Sequence, residues 1–197
     1  SQAVVGSFSH GGQICMSSSR ILVEAPLMDA FCAAFKRRCE GLKLGDLRDP
    51  ETAYGPLIHE GALRKVQAHV KAAIDGGAQL LTGGEVHDRL RYRPTVMVRP
   101  PLDNTIWTDE TFGPVTSVVP IESADEAVVL ANDTEFGLSA GILTNDLKRG
   151  MGLARRIRAG AVHVGNHPFQ SDALSPVGGL GFSGVGRSGG RYSIEEF

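Results

Sequence analysis

Short apolar runs alternate with helix-period segments along this chain, and few architectures accept that order. Residues 20–24, 78–82, 92–98 and 115–120 read as extended, as does 161–164, and a turn at Phe136-Gly137 feeds a further strand running to Thr144. Their aliphatic and β-branched content fits covered sheet positions, and residues 20–24 read as a short buried strand. Pro94 argues that its segment sits at a sheet edge or at a strand entry. Helix patterns fill the intervals. One begins at Pro26 and runs to Cys39, with Phe31, Phe35 and Cys39 at four-residue spacing and Gly41 as its stop. Another spans residues 59–75 with Leu63, Val66, Val70 and Ile74 as its apolar stripe, His69 among its polar positions, and Gly76-Gly77 ending it. A third follows Ser123, with Glu126 placed three residues on as in a capping box. A fourth, residues 147–157, has Asp146 as its cap and ends near Gly160. Strands alternating with helices predict an α/β domain with a layered sheet.

Composition narrows the function classes. At 197 residues, 42% hydrophobic and 21% charged, the chain is long enough for a sizeable core. Twenty Lys and Arg against 22 Asp and Glu give a net charge of -2, which argues against a broad nucleic-acid surface. The group Arg155, Arg156 and Arg158 reads as a solvated helix face. No apolar run reaches membrane-spanning length and no secretory leader pattern opens the sequence, so a reducing, cytoplasmic setting is expected. Three cysteines lack the spacing of a zinc site or a disulfide scaffold. Cys32 and Cys39 fall on the apolar side of a helix pattern and read as core.

The chemistry concentrates in Phe8-Ser9-His10-Gly11-Gly12-Gln13-Ile14-Cys15-Met16-Ser17. Gly11-Gly12 permits a backbone path that residues with a Cβ resist. Ser17, Ser18 and Ser19 are placed to satisfy free amides at a helix end. Oriented amides favour a thiolate, which makes Cys15 a candidate nucleophile; its bland alternative is a small hydrophobic residue. A second patch, Trp107-Thr108-Asp109-Glu110-Thr111-Phe112-Gly113-Pro114-Val115, reads on its own as an acidic loop beside a core aromatic. The late glycine run at residues 178–184 does not follow a strand into a helix, so it is not a dinucleotide fingerprint.

Taken together, these segments resemble the aldehyde dehydrogenase superfamily, in its C-terminal catalytic domain. Gly12-Gln13-Ile14-Cys15 is similar to the family's nucleophile segment, and Glu110-Thr111-Phe112-Gly113-Pro114-Val115 to its cofactor-facing motif. Residues 132–141 and 176–184 are similar to two further signatures, in family order. The resemblance implies a three-layer α/β/α fold with a mostly parallel sheet over residues 1–197. It also implies oxidation of an aldehyde to a carboxylic acid with NAD or NADP. Cys15 would be the catalytic nucleophile, forming a thiohemiacetal and then a thioester. Glu110 would accept hydrogen bonds from ribose hydroxyls, Phe112 would pack beside the same ribose, and Lys65 would reach the adenosine ribose or else be a solvated lysine. Ile14, Met16, Phe169 and Val177 would line the substrate tunnel, with residues 166–176 as one wall and Asn166 fixing that loop. Val177 stands where relatives commonly carry phenylalanine.

The form of residues 13–17 is similar to the benzaldehyde, salicylaldehyde and vanillin dehydrogenase branch, which implies an aromatic aldehyde; an aliphatic aldehyde or a semialdehyde is the alternative. The resemblance places the cofactor-binding domain, the general base and the oxyanion-hole asparagine upstream of Ser1, and an oligomerisation strand beyond Phe197. It implies a homodimer or homotetramer for the full-length protein, no tightly bound cofactor on residues 1–197 alone, and no activity from them alone. Two other classes stay open. A cysteine hydrolase or acyltransferase needs a histidine base near Cys15, and His10 is near in sequence without being a triad. A noncatalytic domain of the same descent is the other.

Overall fold

The computed structural model describes residues 1–170 and 172–196; Ser171, inside the expected tunnel wall, and Phe197 lie outside the described residues. The chain divides into a first unit, Ser1–Glu122, and a second beginning at Ser123.

The first unit opens with helix α1 (Gln2–Phe8), a 3-10 turn (Ser9–Gly12) and strand β1 (Arg20–Glu24). Pro26 lies in a short 3-10 turn that leads into α2 (Met28–Glu40), so the helix proper starts two residues later than the proline suggests. After a looped stretch come α3 (Glu60–Asp75), β2 (Gln79–Thr82), the small hairpin β3 (Val86–Asp88) and β4 (Arg91–Tyr92), then β5 (Thr95–Val98). A helical turn, α4 (Thr105–Thr108), and β6 (Val115–Ile121) complete it. Four strands form one sheet in the order β1-β6-β5-β2. The β1–β6 and β5–β6 pairs are parallel and only β2–β5 is antiparallel.

Alternation along β5 assigns the two faces. Val96 and Val98 join Phe8, Met28, Phe35 and Cys39 in a cluster beneath α1 and α2. Met97, between them, joins Val66, Val70, Ala73 and Ile106 beneath α3 and α4. That period of two places helices on both sides of the sheet. Each covered valine, isoleucine, methionine and phenylalanine here contributes about 1.5–3 kcal/mol of burial.

Pro94 marks a strand entry and not an edge, because β5 lies inside the sheet between β6 and β2. Strand β1 is half-buried along most of its length, as suits its edge position. On α3 the buried stripe is Val66, His69, Val70 and Ala73, while Leu63 is half-buried and Ile74 is exposed. His69 is therefore part of the packed face and not of the polar one.

The second unit contains α5 (Ala124–Asn132), β7 (Ser139–Ile142), α6 (Leu147–Ala154), β8 (Ala161–Val164), a 3-10 turn (Gly181–Ser183) and α7 (Tyr192–Glu195). Strands β7 and β8 pair in parallel and are half-buried, since a two-stranded sheet has no interior strand. The Ser123 hydroxyl accepts from the Glu126 amide and the Asp146 carboxylate from the Arg149 amide, as the capping patterns predict. Helix α6 stops at Ala154, three residues short of expectation. Asn132 explains the early stop: its amide nitrogen donates to the Arg156 carbonyl at 2.9 Å and its oxygen accepts from the Arg158 amide at 2.7 Å. The three arginines therefore lie past the helix and do not decorate its face, and Arg156 pairs with Asp125 at 2.7 Å.

Candidate active site

Cys15 sits on a turn held by the end of α1. His10, Gly11 and Gly12 all take left-handed backbone angles, with φ of 53°, 65° and 68°. This reverses the chain before Gln13. Serines then fasten the far side. The Ser17 hydroxyl donates to the carbonyls of Gly6 and Ser7 at 3.2 Å, and the Ser7 hydroxyl donates to the Ser18 carbonyl at 3.1 Å. The Gly6 and Ser7 carbonyls lie at the C-terminus of α1, so Ser17 satisfies acceptors there and not the amides expected. Gln13 ties the turn to a distant loop: its oxygen accepts from the Ile58 amide at 2.9 Å and its nitrogen donates to the Pro56 carbonyl at 3.3 Å. The Cys15 thiol is exposed. Among the described residues, its backbone amide meets no acceptor.

The second patch lies directly against this turn. A Cβ added to Gly12 would come within 2.0 Å of the Gly113 carbonyl oxygen, so two glycines make this backbone approach possible. A Cβ on Gly113 would in turn meet Val66 of α3 at 2.4 Å. Phe112 adopts φ of 56°, uncommon for a bulky residue, and its ring is 41% exposed. Burial alternates across the motif: Glu110 and Phe112 face outward and Thr111 points inward. Strand β6 completes the join, since the Thr116 hydroxyl donates to the Ser18 carbonyl at 2.7 Å and the Ser117 amide to the Ser19 carbonyl at 2.9 Å. Upstream, the Arg20 guanidinium lies 4.7 Å from the Trp107 ring centroid and donates to the Trp107 carbonyl at 2.9 Å.

One small cleft results, lined by Gly12, Ile14, Cys15, Glu110, Phe112 and neighbouring residues. It brings together a thiol, a carboxylate and an aromatic face. Lys65 reaches the same segment, its ammonium donating to the Glu110 carbonyl, which argues against a purely solvated lysine. Among the described residues the Glu110 carboxylate has no ion-pair partner, so it remains an acceptor for a ligand's hydroxyls. Met16 flanks the thiol in sequence but is not among the cleft-lining residues. Among the described residues no histidine ring hydrogen-bonds Cys15.

The family model for the aldehyde dehydrogenase family matches residues 1–197. The chain belongs to the aldehyde dehydrogenase family. It is 35% identical to succinate semialdehyde dehydrogenase of Acinetobacter baylyi, over 99% of this chain and 41% of that protein. It is 37% identical to vanillin dehydrogenase of Pseudomonas fluorescens, over 99% and 40%. Against benzaldehyde dehydrogenase of Bacillus subtilis the figures are 39% identity over 99% and 40%. The crystal structure of an NAD-dependent aldehyde dehydrogenase from Sinorhizobium meliloti superposes with a TM-score of 0.96 at 38% identity, covering 100% of this chain and 39% of that one. The structure of Staphylococcus aureus betaine aldehyde dehydrogenase in complex with NAD+ gives a TM-score of 0.96 at 33% identity, covering 100% and 40%. These superpositions establish the three-layer α/β/α aldehyde dehydrogenase fold. The chain thus spans about two fifths of the length of the curated relatives it matches.

In the second unit, the two later signatures of this aldehyde dehydrogenase chain bind each other. The Leu180 amide donates to the Gly137 carbonyl at 2.9 Å, the Phe182 amide to the Glu135 carbonyl at 2.9 Å, and the Gly137 amide to the Ser183 hydroxyl at 3.0 Å. Val177 forms an isolated bridge with Ser188 and is half-buried. Phe169 is half-buried with its ring 6.1 Å from that of His167. Burial, and then the neighbouring His163, hold the His167 imidazole below its ordinary pKa. His69 pairs with Thr111, a partner no local sequence pattern marks, with Nδ1 and Oγ1 3.0 Å apart. The spacing 66, 69, 70, 73 is the signal that sets His69 itself on the apolar stripe.

Proposed function

We propose that this chain is the catalytic part of an NAD(P)-dependent aldehyde dehydrogenase that converts an aldehyde to a carboxylic acid, and that Cys15 is its nucleophile. The observation carrying this reading is the cleft in which the exposed Cys15 thiol shares walls with Glu110 and Phe112. The Cys15 thiolate attacks the carbonyl carbon, a carbon–sulfur bond forms, and the carbonyl π pair moves to oxygen. The unengaged Cys15 amide donates to that oxygen as charge develops. Bound NAD(P)+ supplies the hydride acceptor that makes the step an oxidation. The thioester left on Cys15 is hydrolysed by water, which releases the carboxylate and returns the thiolate.

The residues present fit such a dinucleotide. The Glu110 carboxylate offers acceptors to two ribose hydroxyls, and exposed Phe112 offers a flat apolar face. Lys65 holds the Glu110 backbone and lies beside the same site. Relatives described as binding NAD+ favour the same cofactor class. In the whole polypeptide, a cofactor domain and general base outside residues 1–197 would complete the reaction, and a homodimer or homotetramer would be its assembly. Ile14 and Met16, beside the thiol in sequence, are proposed to contact substrate; for Phe169 and Val177 the family resemblance carries the same proposal.

For the substrate, the aromatic reading has less support than its alternative. Semialdehyde and betaine aldehyde relatives match this chain about as well as the vanillin and benzaldehyde dehydrogenases do. An aliphatic aldehyde or semialdehyde is the substrate class we propose. Turnover of the full-length protein on succinate semialdehyde, an aliphatic aldehyde and benzaldehyde with NAD+ and NADP+ tests both levels. NAD(P)H production with the first two exceeding that with benzaldehyde is expected. No NAD(P)H production from any aldehyde would contradict the activity, and a benzaldehyde preference would restore the aromatic assignment.

A further inference from the structure

We propose that His69 is a positioning residue for dinucleotide binding, acting through Thr111 to turn Glu110 and Phe112 into the cleft. This rests on the proposed function and deepens it.

His69 occupies a place on the buried stripe of α3, between Val66 and Ala73, where an apolar side chain would pack without penalty. Burying an imidazole is unfavourable unless its polar atoms find partners. His69 finds one: Nδ1 shares a 3.0 Å hydrogen bond with Thr111 Oγ1, and Thr111 is itself only 5% exposed. Desolvation, and secondly the charge of Lys65, keep the imidazole below its ordinary pKa against the opposing pull of Asp109. The ring is therefore neutral at physiological pH and works as a hydrogen-bonding strut.

The position of Thr111 makes that strut matter. Thr111 is buried while its neighbours Glu110 and Phe112 stand outward, so a bond that holds Thr111 also holds the backbone from which both project. Glu110 and Phe112 are both exposed at the cleft. Phe112 also holds a left-handed φ of 56°, which persists only where the surroundings enforce it. Lys65, one helical turn before His69 on α3, takes the Glu110 carbonyl. Val66 lies where Gly113 admits no side chain. One face of α3 thus meets the motif at three points: Lys65 at Glu110, His69 at Thr111 and Val66 against Gly113.

The test uses full-length protein carrying His69→Leu, His69→Gln, Thr111→Val, or His69→Leu with Thr111→Val. Two measurements are made: amide hydrogen exchange of residues 110–113 without cofactor, and equilibrium binding of NAD(P)H. His69→Leu and Thr111→Val are each expected to speed exchange and weaken NAD(P)H binding by about tenfold, the scale of one lost buried hydrogen bond. The double variant should be no worse than either single one, because both remove the same bond. His69→Gln, which keeps a neutral hydrogen-bonding head, should recover most of the loss. KM for NAD(P)+ should rise by more than kcat falls, whereas a merely structural role would lower Tm and leave the exchange pattern and affinity unchanged. Should His69→Leu not fold, Thr111→Val carries the same comparison. A wild type that binds NAD(P)H alongside variants that match it in both readouts would overturn this inference alone. A wild type that binds no dinucleotide would overturn the underlying reading and this inference with it.

Discussion

Two glycine-rich regions of this molecule do different work. Around Cys15, Gly12 and Gly113 let two backbones touch, and the side chains left outward are a thiol, a carboxylate and an aromatic ring. Around the later signatures, Gly160 and Gly178 approach so closely that a Cβ on the first would fall 1.6 Å from the carbonyl of the second. There the side chains left outward include Phe182 at 74% and Val185 at 99% exposure. The first region holds the candidate site through its own contacts. The second spends its glycines on joining two motifs and leaves apolar groups uncovered, which suits a surface that meets other protein. Glycine richness alone therefore does not locate chemistry; the residues it exposes do.

Substitutions separate the two kinds of region. The largest effect is expected from Cys15→Ser, which should lower aldehyde oxidation by the full-length protein on the order of a thousandfold or more with little change in Tm. Gly12→Ala combines a left-handed φ with a 2.0 Å backbone clash and should destabilise the protein by about 3–5 kcal/mol in denaturant unfolding. Gly113→Ala meets a side chain instead of backbone, so about 1–3 kcal/mol is expected, and Val66→Ala in the same protein should recover part of it. A full loss for that pair, with no recovery, would show that Val66 is not what excludes the side chain.

Smaller effects sharpen the contrast. Both regions bury a histidine whose imidazole stays below the ordinary 6.5, His69 in the first and His167 in the second. Between 6.5 and each lowered folded-state pKa the unfolded chain binds more protons, so stability should fall as pH drops through that window and level off below it. His69→Gln and His167→Gln should each flatten part of that slope in unfolding measured from pH 7 down to about 4. Least of all, Phe182→Ser should change stability by no more than about 0.5 kcal/mol, because its ring is already mostly in water.

Much of this was legible beforehand for local reasons. The caps at Ser123 and Asp146 and the stop at Gly76 depend on neighbours in sequence, and each formed as its pattern indicates. The alternation that predicted a layered α/β fold survives in β5, whose odd and even residues serve opposite cores. What escaped depends on partners distant in the chain. Asn132 ends α6 by capturing a backbone 24 residues away, which no helix pattern encodes. The serines after Cys15 could be read as polar partners, but only the fold decides that they meet carbonyls of α1. His69 is polar by residue type but lies on the apolar stripe by position, and its partner Thr111 lies 42 residues on.

The central claim is that the Cys15 sulfur becomes the covalent attachment point for the substrate's carbonyl carbon. Full-length protein mixed with aldehyde and NAD(P)+, quenched in acid during turnover and digested, reports this by peptide mass spectrometry. The account predicts an acyl group, the aldehyde less two hydrogens, on the peptide containing Cys15. An acyl group on another residue, or none while turnover proceeds, would contradict it.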